Sequence, residues 1–109
     1  MKYGFLKSHV DIHTLGIYSI VGILEECGIN TIVAPNDLCL LSDHIQYDIP
    51  YQILKRWLIK NDISVLSFSY RLGEKEAFIW FEKLFHKIKN DKDFGEYGIN
   101  PIRRYTFAG

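Results

Sequence analysis

Short apolar or β-branched runs alternate along this chain with longer segments whose apolar residues recur at helical spacing. That alternation restricts it to an α/β layer structure built on a parallel sheet. Tyr3 to Ser8 is apolar and bounded by polar residues, which predicts a buried strand. His9 to Leu15 then reads as a loop. Ile17, Ile20, Val21, Leu24 and Cys27 share one helical face, and Gly28 stops that helix. Thr31 to Ala34 is a second strand, ended by Pro35. Asn36 to Ile49 mixes polar and apolar residues around turn signals and reads as one long loop.

Pro50 suits the first turn of a helix whose apolar face is Ile53, Leu54, Trp57 and Leu58. Ile63 to Phe68 predicts a third strand. Gly73-Glu74-Lys75-Glu76 opens another helix, with Ala77, Phe78, Phe81, Leu84, Phe85 and Ile88 as its buried stripe. Asn90 to Asn100 reads as a polar loop, and Ile102 to Phe107 as a fourth strand. Strand–helix alternation of this kind predicts a doubly wound, flavodoxin-like parallel sheet of about four strands and three helices, with right-handed crossovers. Such sheets usually continue through a further helix and strand. The expectation is therefore a single domain over residues 1–109 that lacks its last helix and strand, or a sheet completed by another copy.

Bulk properties exclude several classes. Thirteen Lys and Arg balance thirteen Asp and Glu, so no long-range field attracts nucleic acid or an anionic membrane surface. The basic pairs Lys55-Arg56 and Arg103-Arg104 are too short for a nucleic-acid patch. Cys27 and Cys39 form neither a disulfide framework nor a CxxC pair and read as reduced thiols, which points to a cytoplasmic protein. No apolar run is long enough for a membrane span.

In open α/β sheets, ligands sit outside the carboxyl ends of the strands. The first such loop carries His9, Asp11 and His13, and Gly16 follows at the start of the helix. A neutral imidazole is a transition-metal ligand, and a carboxylate two residues away can accept from its other ring nitrogen. A glycine at the helix start lets a large ligand approach the backbone. Asp11-Ile12-His13-Thr14-Leu15-Gly16 resembles the DxHxxG signature of the cobalamin-binding domains of methionine synthase and methylmalonyl-CoA mutase. The stretch Phe68-Ser69-Tyr70-Arg71-Leu72 resembles the cobalamin domains fused ahead of radical S-adenosylmethionine enzymes.

The resemblance implies that cobalamin binds base-off, with His13 as the lower ligand of cobalt. Asp11 would polarise His13, and Gly16 would make room for the nucleotide tail. The family's Ser-x-Leu after the third strand maps onto Ser67 to Leu72, with Ser69 as the tail contact and Ser67 as the alternative. The family's Gly-Gly after the fourth strand would begin at about Gly109, where one glycine stands. The implied role is a module of a larger methyltransferase, mutase or radical enzyme. Separately, the uncovered fourth strand predicts a homo-oligomer, formed by edge pairing or by exchange of a terminal element.

Two other readings stand beside it. His9, Asp11 and His13 alternate along an extended segment and could bind zinc or iron directly, with His44 or Cys39 as a further ligand. The domain could also be an interaction or regulatory module without cofactor. A phospho-acceptor version would need an acid at the end of the third strand, where Ser67-Phe68-Ser69 stands. Trp80 lies beside its helix's buried stripe and reads as a partner contact, and His86 as solvated surface.

Overall fold

The computed structural model describes residues 2–7, 15–69 and 74–108. Four strands, β1 (Lys2–Lys7), β2 (Asn30–Val33), β3 (Ile63–Ser69) and β4 (Arg104–Ala108), pair in the order β2-β1-β3-β4. Every pairing is parallel. The helices are α1 (Leu15–Glu26), α2 (Asn36–Leu41), α3 (Asp48–Lys60) and α4 (Glu74–Lys89). This is the flavodoxin-like order, with β1 and β3 at the centre.

Register decides which residues share a face. Leu6 of β1 lies beside Phe68 of β3, and Gly4 beside Leu66, whose β4 partner is Tyr105. Leu6, Leu66 and Phe68 join Leu54 and Leu58 of α3 and Trp80, Leu84 and Ile88 of α4 in one core. Tyr3, Phe5, Val65 and Thr31 alternate with these residues and face the other way. The Thr31 hydroxyl donates to Glu25 Oε1 of α1 at 2.9 Å. So α1 covers one face of the sheet while α3 and α4 cover the other, as right-handed crossovers require for a chain that steps left once and then right.

Phe68 organises the larger core. It meets Trp80 and Phe81 edge-on, at centroid distances of 6.0 and 5.1 Å, and stacks with Tyr105 at 6.5 Å. Trp80 is 7% exposed, and its indole N–H donates to Ser42 Oγ at 3.2 Å. It is a core residue and not the partner contact expected from its neighbours in sequence. The Ser42 hydroxyl in turn donates to the Cys39 carbonyl at 2.6 Å, which ties α4 to the segment after β2.

That segment is also a correction. Residues 36–49 form α2, a 3-10 turn (Ser42–His44) and the start of α3 rather than a long loop. Pro35 supplies an extended N-cap with Asp37 in the first turn. Leu38 and Cys39 are buried, but six residues are too few to display a helical period. Two predicted stripes shift as well. Of the stripe predicted around α1, Ile20 is 50% exposed and Cys27 is exposed, while Phe78 of α4 is 59% exposed. The 3.6-residue period spreads apolar positions over an arc wider than one sheet face can cover.

Two helix ends use the left-handed backbone region. Gly28 has φ +80° after α1. Asp62, with φ 52°, ends α3 without glycine, using a residue type that tolerates this conformation. The 90–103 segment is tightly folded by its own hydrogen bonds. Asn100 N–H donates to the Asp93 carbonyl, Ile102 N–H to the Phe94 carbonyl, and Arg103 N–H reaches Ser64 on β3. The buried Asn100 side chain donates to the Ile63 carbonyl at 3.0 Å.

A polar clasp fixes this segment to α3. Lys55 Nζ lies 2.9 Å from Asp91 Oδ2 and 2.7 Å from Asp93 Oδ2, and the buried Tyr51 hydroxyl donates to Asp91 at 2.5 Å. Burial pushes the Asp91 carboxyl up, but hydrogen bonds from Tyr51, Lys55 and the Asp93 amide outweigh it and hold the group below its ordinary 3.8. Burial and the bond to Asp91 push the Tyr51 phenol far above its ordinary 10.0.

Because the Asp91 value is lowered on folding, its contribution is complete above pH 3.8 and disappears as pH falls through the folded value. Tyr51 works in the opposite sense, contributing below pH 10.0 and losing that contribution as pH climbs beyond it. Asp91→Asn is expected to lower unfolding stability at pH 7 by about 1–3 kcal/mol. In urea titrations the gap from wild type should close as the buffer is taken below pH 3.8. A gap that does not change with pH would mean the charge is not what holds the clasp.

Two glycines give a contrasting pair. A Cβ on Gly98 would lie 2.3 Å from the Lys92 carbonyl oxygen and 2.4 Å from that of Asp93, both backbone atoms. A Cβ on Gly22 in α1 meets nothing within 4 Å. Gly98→Ala should destabilise by about 1–3 kcal/mol. Gly22→Ala should stabilise by about 0.5–1 kcal/mol. Chemical denaturation of the two variants in parallel measures both signs.

Candidate functional site

The strand order creates one crevice. β1 leads through α1 to β2 on its left, and β2 leads back over β1 to β3 on its right. The carboxyl ends of β1 and β3 are therefore neighbours whose next helices, α1 and α4, lie on opposite faces, and such switch points are where sheets of this kind bind ligands. Lys7, Ser69 and Ala108 end β1, β3 and β4 in register along this edge.

The predicted site residues divide between this edge and the segment that follows it. His9, Asp11 and His13 lie outside the described residues, in the stretch joining β1 to α1. Gly16 is the second residue of α1, so its backbone belongs to the first turn of the helix that packs beside β2. Ser67 and Ser69 fall within β3. Both alternate with the core residues Leu66 and Phe68 and therefore face the α1 side. They are about 6.6 Å apart along the strand. Ser67 Oγ accepts from Thr106 Oγ1 of β4 at 2.6 Å. Small hydroxyl side chains thus line the β3–β4 half of the α1 face, leading up to the carboxyl edge.

Lys7 is a buried residue at this edge that sequence reasoning did not single out. Only 7% exposed, it shares the rung of Ser69 and immediately precedes the segment carrying Asp11 and His13. Lysines are rarely buried unless paired, and this one has an interaction partner and closes β1 at the carboxyl edge of the sheet. The available signal was a lysine closing the otherwise apolar run Gly4-Phe5-Leu6.

The other candidate metal ligands are placed differently. Cys39 is fully buried in α2, not in a loop, with its Sγ turned to the Ala34 carbonyl at 3.7 Å. His44 is exposed on the 3-10 turn, with its ring 6.5 Å from that of Tyr47. Among the described residues no three His, Cys, Asp or Glu side chains converge in a way that could hold a metal. Cys27 is an exposed free thiol, and His86 is exposed, 3.7 Å from Glu82. An open groove beside α4, lined by Tyr51, Lys83, His86, Lys87 and Asp91, lies on the α3–α4 side of the molecule, away from the hydroxyl-lined face. Among the described residues no helix is long and apolar enough to cross a membrane.

Compared with known proteins, the chain matches no family model, no curated protein and no solved structure.

Proposed function

We propose that this chain is a cobalamin-binding module, holding the cofactor base-off over the carboxyl edge of the sheet with His13 as the lower cobalt ligand. One observation carries the reading. The two elements that resemble cobalamin domains belong to β1 and β3, the two strands that flank the topological switch point. The Asp11-x-His13-x-x-Gly16 stretch joins β1 to α1, and Ser67 and Ser69 end β3 on the α1 face.

The residue types suit such a ligand. His13 offers a neutral imidazole nitrogen to the metal, and Asp11 an acceptor for the other ring N–H, fixing tautomer and orientation. Gly16 brings no side chain to the first turn of α1. Ser67, Ser69 and Thr106 offer hydroxyls and little bulk along the strands, suited to the polar nucleotide tail. Cobalt supplies the methyl-transfer, rearrangement or radical chemistry when the cofactor is bound, and this chain supplies position and the lower ligand. The reacting substrate would belong to a catalytic domain of the methyltransferase, mutase or radical S-adenosylmethionine class.

Absorbance spectroscopy after mixing with hydroxocobalamin and desalting tests the reading directly. Wild type should retain the cofactor with a histidine-ligated, base-off spectrum. His13→Ala should change the spectrum and weaken retention, whereas His44→Ala should match wild type. Identical spectra and retention for wild type and His13→Ala would overturn the assignment. The tail contact has its own test. Ser69→Leu should weaken hydroxocobalamin binding while leaving cobinamide, which lacks the nucleotide tail, unaffected. If Ser67→Leu has that effect instead, the contact belongs to Ser67.

Acid should release the ligand. A free imidazole titrates near ~6.5, and metal competes with the proton for the same nitrogen. The His13–cobalt bond should therefore persist to below that value and break on further acidification. Asp11→Asn should lower affinity by about 10- to 100-fold and move the release point. An unchanged release point in a spectrophotometric titration would remove Asp11 from the site.

A further inference from the structure

We draw no further inference here: the strongest candidate, the groove between the 94–97 turn and the outer edge of β4 that Phe94, Tyr97, Pro101 and Tyr105 line beside Lys89 and Arg103, is an unpartnered face, and nothing in the structure shows what covers it.

Discussion

The parallel pairing of β1 with β3 is the contact on which the rest of this molecule depends. Lys2 and Ile63 meet across about sixty residues of intervening chain, and six positions of β1 are matched along β3. Every helix position follows from that choice. The chain between β1 and β3 must leave β1 on one side to make α1 and β2, then return over the opposite face to deliver β3. The switch point at the carboxyl edge is a consequence of the same reversal, because α1 and α4, the helices that follow β1 and β3, lie on opposite faces. Pairing also requires space at the amino end. A Cβ on Gly4 would come within 2.8 Å of the Ile63 side chain, so a glycine lets Ile63 fill the core directly beneath the central strand.

The two faces of the sheet are built from different materials. On the α3–α4 side, Phe68 gathers Trp80, Phe81 and Tyr105 into an aromatic cluster, with Leu54, Leu58, Leu84 and Ile88 around it. This side is also closed by polar fasteners, Trp80 to Ser42 near α2 and Tyr51 and Lys55 to Asp91 at the 90–103 segment. The α1 side has Phe5 and Val65 buried at its centre but turns to Ser67, Ser69, Thr106 and the buried Lys7 toward the carboxyl edge. The α3–α4 side is thus apolar and aromatic, whereas the α1 side becomes polar toward the carboxyl edge.

The candidate site was proposed from signals that are local in sequence. Asp11, His13 and Gly16 are read from their spacing, and a strand before them and a helix after them are read from apolar patterning. Ser67 and Ser69 were singled out through the Ser-x-Leu resemblance, and the strand, which runs on to Ser69, places both on one face. Lys7 was not singled out, because a lysine at a strand end is ordinarily exposed, whereas here it is buried. Trp80 and Tyr51 were missed for a related reason. Each has a polar atom that is satisfied by a residue about forty positions away, Ser42 for one and Asp91 for the other. No local pattern records such partners.

The sequence by itself determined the alternation of strands and helices, the glycine stop after α1, the acidic opening of α4 and the parallel α/β class. These are set by interactions between residues a few positions apart, such as side-chain periodicity, capping and backbone preference. The tertiary structure alone decided the helical form of residues 36–44, the exposure of Ile20 and Phe78, and the burial of Lys7 and Trp80. Burial depends on what packs across from a residue, and that partner is chosen by the pairing of strands distant in the chain. An apolar stripe states which residues can be buried, but only the width of the sheet beneath the helix selects which of them are.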